Sequence, residues 1–442
     1  MKKLLLSFII SHLAFSPVGA QEPWSLERCI DYAVSHNITI EQYKLRTEKQ
    51  TIQLQTSKAS RLPDLNASVG ENFSFGRGLT ADNTYTNKNT SSTNFSVGTS
   101  VPIFTGFQIP NQIKLNQLNL EAATQDLEKA KNDIRTQVAQ EYVQTLYNME
   151  ILDVARRQVT IDSAQVARLQ ALMDAGRASQ AEVSQQKATL AQSRLTVTQA
   201  ENNLRLALLN LSQLLELDSP EGFSIERPAV PLSCDSVAAK ETAPDAIFAT
   251  ALTSRPEIAA DQLRLRAADH SIKIAQAGLY PTLSFSAGLG TNYYSTSGFK
   301  SDGFGTQLKN NFSQYLGFNL SIPIFNRFQT RNSIRSARLD RVTQQLQFDQ
   351  TKKALYKEIQ QAWYNSIAAA EKLRSSDEAR RASQDAFQLV QAKYEQGKTT
   401  ITEFNEAKNN YLKTESDLTQ ARFEHLYQQT LLQFYRGEPL RF

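Results

Sequence analysis

The chain has 442 residues, 40% of them hydrophobic and 21% charged, with 48 basic against 44 acidic residues and a formal charge of +4. So even a balance draws no nucleic acid to the molecule as a whole, and two cysteines cannot staple so large a fold. The mean hydropathy is -0.42, and beyond the N-terminus no apolar stretch approaches the roughly 18 residues of a spanning helix, so any passage through a bilayer must use β-strands.

Residues 1–20 read as a secretory signal peptide: Lys2 and Lys3, an apolar run from Leu4 to Phe15, and the small residues of "SPVGA" before Gln21, with cleavage after Ala20. Two of the 48 basic residues leave with this leader, so the mature surplus is +2. No Cys stands at the cleavage point, which argues against an N-terminal lipid anchor. Cys29 and Cys234 read as small buried residues, and whether they pair stays open.

The mature chain then reads as a first unit at 21–215, a connector at 216–243, a second unit at 244–435 and a tail at 436–442. The first unit opens with a predicted helix over about 25–60 and a strand in which Ala67, Val69, Phe73 and Phe75 alternate with small or polar residues. The polar loop "LTADNTYTNKNTSST" suits a surface-exposed hairpin tip, and a second strand sets Phe95, Val97, Val101 and Ile103 against Ser96, Gly98, Ser100 and Pro102. A helix from about Asn111 to Asp174 contains neither Pro nor Gly, enough for roughly 95 Å at 1.5 Å per residue. It carries Ile113, Leu120, Leu127 and Ile134 at intervals of seven. After Gly176 the next helix continues that spacing with Val183, Leu190, Val197, Leu204 and Leu211, which indicates coiled-coil-like packing. The connector is punctuated by Pro and charge.

The second unit repeats the order. A predicted helix over 244–278 leads to a strand with Leu283, Phe285, Ala287, Leu289 and Tyr293 on one face, and the polar loop "SGFKSDGFGTQLKNN" follows. The next strand has Leu316, Phe318, Leu320, Ile322 and Ile324, and the last helix spaces Phe404, Tyr411, Leu418, His425 and Leu432 by seven. "VPIFTGFQIPNQIK" at 101 and "IPIFNRFQTRNSIR" at 322 align at an offset of 221, which persists through "MDAGRASQAEV" at 173 and "YEQGKTTITEF" at 394. Upstream the offset is 218, pairing Pro63 with Pro281 and Gly70 with Gly288, so the chain is an internal duplication.

Alternation over about ten residues is the pattern of a transmembrane β-barrel strand, although a half-buried soluble sheet shares it. Four such strands cannot close a barrel, and open edges are not tolerated in lipid, so several chains must pool their strands. Helices this rich in Gln, Ser, Thr and charge must then extend out of the membrane with one face towards water.

In this order and duplication the sequence resembles the TolC family of outer-membrane efflux proteins, also called outer membrane factors. The likeness runs over nearly the whole mature chain, from "SLERCIDYAVSHN" through "TSRPEIAADQLRL" to both strand-helix junctions and both Gly-centred turns. It implies an α+β membrane protein: a homotrimer whose 12-stranded β-barrel, four strands per chain, continues into a long α-helical barrel across the periplasm. A periplasmic adaptor and an inner-membrane transporter would feed it, as the exit duct of a tripartite efflux pump or a type I secretion system. Outer-membrane lipid is its other implied partner.

The resemblance also implies the site residues. Pro102, Phe104, Pro323 and Phe325 look like the junctions where strand becomes tunnel helix, and the Gly176 and Gly397 turns like the adaptor contacts. Glu403 and Glu406 match acidic residues lining the narrow periplasmic entrance, and Tyr394 and Glu182 match members of the network that holds it closed. Thr399 replaces a family arginine of that network, so the latch is expected to differ in detail.

No catalytic, cofactor-binding or metal constellation is visible. His12, His36, His270 and His425 are scattered without metal-ligand spacing, and His425 sits on a heptad seam, where a packed side chain is expected. The competing reading is a secreted coiled-coil structural or interaction protein without a pore.

Overall fold

The computed structural model describes residues 22–79, 83–228 and 243–440. The leader, Cys234 and most of the connector lie outside the described residues. In chain order the elements are α1 (Leu26–His36), α2 (Ile38–Ala59), β1 (Asn66–Ser74), β2 (Arg77–Leu79), β3 (Tyr85–Asn87), β4 (Thr90–Thr105), α3 (Gln108–Asp174) and α4 (Gln180–Leu214). There follow α5 (Pro244–Ser254), α6 (Pro256–Ala277), β5 (Thr282–Thr296), α7 (Phe304–Asn310), β6 (Ser313–Ser321), α8 (Gln329–Glu395) and α9 (Ile401–Tyr435). The paired helices α3 and α8 have 67 residues each, and α4 and α9 have 35 each, so the duplication is reproduced at the level of element length.

Each expected opening helix is split in two. Asn37 breaks the first: its backbone N–H closes α1 on the Ala33 carbonyl, while its Oδ1 accepts the Thr39 N–H at 2.9 Å and opens α2. Pro256 breaks the second, because a residue preceding Pro is driven out of the helical region, and Arg255 is extended at φ -81 and ψ 129.

The chain forms two compact units, each drawing on both halves of the duplication: residues 42–129 with 252–354, and residues 1–41, 130–251 and 355–442. The first holds an antiparallel sheet in the order β1-β4-β5-β6. Its alternation has sorted the side chains: Val69, Phe73, Val97, Leu289, Leu316, Phe318 and Leu320 share one face and all are exposed, Leu316 at 79%. The other face carries Ser68, Gly70, Asn94, Ser96, Gly98, Ser286, Gly288 and Asn319. An exposed, largely apolar face, interrupted by Gln314 and by Glu71, whose carboxylate accepts from Ser91 and Thr93, is unusual for a monomer in water and expected for a surface that meets lipid.

The strand limits differ from expectation at the Pro-x-Phe segments. Pro102 has no N–H to donate, and the β4–β5 register shifts between Pro102 and Phe104. In the second copy β6 ends at Ser321, paired with Thr282, the first residue of β5, so Ile322 and Ile324 lie beyond the strand. The described parts of both loops carry regular structure: β2 pairs with β3, and the second loop forms α7, whose Gln307 side chain bonds both backbone groups of Tyr294.

The second unit is built by helix packing along the sevens. In α4 the buried or half-buried positions Val183, Gln186, Leu190, Ser193, Val197, Ala200, Leu204, Ala207 and Leu211 alternate steps of three and four. Leu152, Ala155 and Ala200 form one cluster, with Val197 against it, and Leu373, Leu418 and Ala421 form its duplicate. Cys29 is fully buried, and burial pushes its thiol up to about 12. The start of the connector is pinned: the Tyr142 hydroxyl bonds the carbonyls of Trp24 and Glu226, and Trp24 pairs with Ile225.

Candidate functional site

The two helix-to-helix turns are the same structure made twice. Gly176 and Gly397 sit at φ +72 and +71, where a Cβ would meet nothing within 4 Å, so the backbone conformation and not crowding calls for glycine. Arg177 N–H reaches back to the Leu172 carbonyl at 2.7 Å and Gly176 N–H to Met173 at 2.8 Å. Lys398 and Gly397 bond Lys393 and Tyr394 in the same way, which is the Schellman closure of a helix. Three residues after each glycine stands the cap of the next helix, Ser179 or Thr400, whose hydroxyl accepts the N–H of Glu182 or Glu403.

The strand-helix junctions are also duplicated. Gly106 and Phe107 are left-handed, as are Arg327 and Phe328 at the matching positions. Phe104 meets Phe107 edge-on at 5.3 Å, and Phe325 meets Phe328 edge-on at 5.4 Å. The element shared by the two copies is thus an aromatic clasp across a left-handed corner; the β4–β5 ladder only shifts register after Pro102 and continues to Thr105, whereas Pro323 lies two residues past the end of β6. Only Gly106 is also sterically required, since its Cβ would stand 2.6 Å from the Ala277 carbonyl oxygen.

Of the expected network, Tyr394 is half-buried, stacked on Phe404 at 5.0 Å and covered by the Arg168 guanidinium at 5.1 Å. Burial pushes its phenol up. Glu182 adds slightly to that shift, but its carboxylate is bound locally: it accepts from Ser179 N–H at 2.7 Å and from the Ser179 hydroxyl at 2.9 Å, closing a capping box. Those bonds hold it below the ordinary carboxylate range. Glu403 and Glu406 are exposed on the first turns of α9.

A fully buried polar tie joins the two hairpins, and the sequence expectations did not include it. Asp162 of α3 and Lys408 of α9 form an ion pair whose side chains are both 0% exposed. Asp162 also accepts from Ser193 and from Gln186 Nε2 at 3.3 Å, Gln186 Oε1 accepts from Asn405 at 3.1 Å, and Asn405 lies 3.4 Å from Lys408 Nζ. Arg157 to Glu415 at 2.8 Å and Arg168 to the Glu395 carbonyl at 3.2 Å add two outer bridges. These residues supply charge contacts across the hairpins. The available signal was polar residues on seam positions: Gln186 and Ser193 fall on the three-four pattern of α4, and Asp162 falls seven residues from buried Ala155 and Leu169.

Among the described residues no group of His, Cys, Asp or Glu could hold a metal ion, and no helix is long and apolar enough to cross a membrane.

Comparison with known proteins gives one consistent result. The family model described as outer membrane efflux protein matches residues 29–216 and 248–437. The pyoverdine export outer membrane protein OpmQ of Pseudomonas aeruginosa is 28% identical over 83% of this chain and 75% of its own. The outer membrane protein OprJ of the same organism is 24% identical over 84% and 75%. Among solved structures, CusC superposes with a TM-score of 0.78 at 18% identity, covering 93% of this chain and 92% of its own. VceC of Vibrio cholerae does so at 0.77 and 18%, covering 94% and 97%.

Proposed function

The chain belongs to the outer membrane efflux protein family, and from that premise we propose that three copies assemble into the exit duct of a tripartite efflux pump or type I secretion system. The protein is an outer-membrane channel for export. The observation that carries the assembly is the sheet itself. It has four strands, two of them with an unpaired edge, and an apolar outer face opposite a face of Ser, Asn and Gly. Three such sheets of four strands give twelve, and pairing β6 of each copy with β1 of the next removes every edge. Exposed apolar residues at Leu45 and Ile52 on α2, and at Leu339, Val342 and Leu346 on α8, keep the spacing of helix seams that lack a partner within one chain. A secreted coiled coil without a pore has no use for that sheet face.

A periplasmic adaptor meeting the Gly176 and Gly397 turns, and an inner-membrane transporter behind it, complete the reading. Glu403 and Glu406 of three copies line the entrance. Tyr394 and Glu182 are assigned to its closed state. Native mass spectrometry in detergent is the test: a trimer is expected, and a stable monomer that needs no detergent overturns the duct.

A further inference from the structure

In the whole four-stranded sheet one residue is buried, and it is a glycine on the polar face. Gly288 of β5 pairs with Gly98 of β4 on one side and Tyr315 of β6 on the other. A Cβ on Gly288 would lie 2.5 Å from Cε1, 2.7 Å from Cζ and 2.8 Å from the hydroxyl oxygen of Tyr315, and one on Gly98 would lie 3.5 Å from the same oxygen. The ring therefore lies flat across two strands, over two glycines in one register row. Its other side is open, the residue being 57% exposed.

The duplication shows that this is particular to the second half. Gly70 corresponds to Gly288 and pairs with Asn94, which corresponds to Tyr315, yet a Cβ on Gly70 would meet nothing within 4 Å. The glycine is common to both halves, and the aromatic that uses its space is not.

We propose that Tyr315 is a wall residue of the β-barrel passage, laid flat by the space over Gly288 and Gly98, so that this row sets the width available to cargo. The proposal rests on the channel reading, because that reading makes the Ser, Asn and Gly face the lumen. A side chain at position 288 would force the three rings of a trimer off the wall and into the passage.

Two measurements on the full-length trimer test it. First, single-channel conductance is recorded while polyethylene glycols of graded size are added on the extracellular side, which reads the width of that end of the pore. Gly288→Ala should shift the exclusion cut-off to smaller polymers, and Gly288→Ala with Tyr315→Ala should restore it. An unchanged cut-off, or no restoration, overturns the proposal. Should Gly288→Ala alone fail to assemble, the double variant must recover assembly, and its failure to do so also overturns the proposal. Second, a charged, membrane-impermeant thiol reagent should label Tyr315→Cys about tenfold or more faster than Leu316→Cys, whose thiol faces lipid and stays protonated. Equal labelling places Tyr315 outside the lumen. If the unsubstituted protein itself conducts no ions, the channel reading fails first and separately.

Discussion

Asp162 and Lys408 illustrate what a buried charge does in a helical seam. Both are fully enclosed, so removing one partner leaves the other desolvated and uncompensated, at a cost of about 3–5 kcal/mol, whereas replacing both with apolar residues of similar size is often close to neutral. Lys408→Met should therefore unfold well below the parent, and Asp162→Leu with Lys408→Met should recover most of the loss. Thermal melts followed by circular dichroism in detergent give the order directly; a double variant less stable than the single would show that the polar network, not the pair, is the stabilising unit. The second half of the duplication has Ser383 and Thr414 hydrogen-bonded at 2.5 Å where the first has Asp162 and Ser193. A charge is thus an addition to this position and not a requirement of the hairpin.

At the scale of the element, the four long helices are ended and begun by local chemistry. Ser179 caps α4 and Glu182 closes the box, so Ser179→Ala should destabilise by about 1 kcal/mol at neutral pH. The folded-state pKa of Glu182 is lowered, so its contribution is complete above the unfolded-state value and is lost as pH falls through the lowered folded-state value. Stability curves of parent and Glu182→Ala should accordingly draw together as pH falls below the ordinary carboxylate range, and curves that stay parallel down to that pH would contradict the box. The turns are proposed to meet the adaptor, and because Gly176 and Gly397 are needed by the backbone, their exposed neighbours are the better probes. Arg177→Glu with Lys398→Glu should impair export while trimer yield in the outer membrane stays unchanged. Lost insertion would instead assign the turns to folding.

At the scale of the whole molecule, three copies would bring six carboxylates from Glu403 and Glu406 to one entrance. Such a ring attracts cations, polyvalent ones most, and disfavours anions. Trivalent cation added on the periplasmic side of a planar bilayer should block the parent channel, and Glu403→Gln with Glu406→Gln should relieve the block. Equal block in both would remove these two residues from the entrance while leaving the duct intact.

Chain-order information was sufficient for the duplication, the strand faces, the heptad seams and the glycine turns, because each depends on residues within a turn or a pleat of one another. Reading stopped where a partner is distant. Lys187 and Lys408 occupy the same position of the repeat, yet Lys187 is exposed while Lys408 is buried against Asp162, 246 residues earlier in the chain. Gly70 and Gly288 are likewise equivalent, and only one lies beneath a ring. Glu182 and Glu403 follow the same capping rule, but only Glu182 folds back to close its box. Hydrophobic period and turn chemistry are local, so the amino-acid order carried them unaided. Burial of a polar group is a property of the cavity that other segments build around it, and only the packing of α9 on α3, and of β6 on β5, decided which copy of each duplicated residue would acquire one.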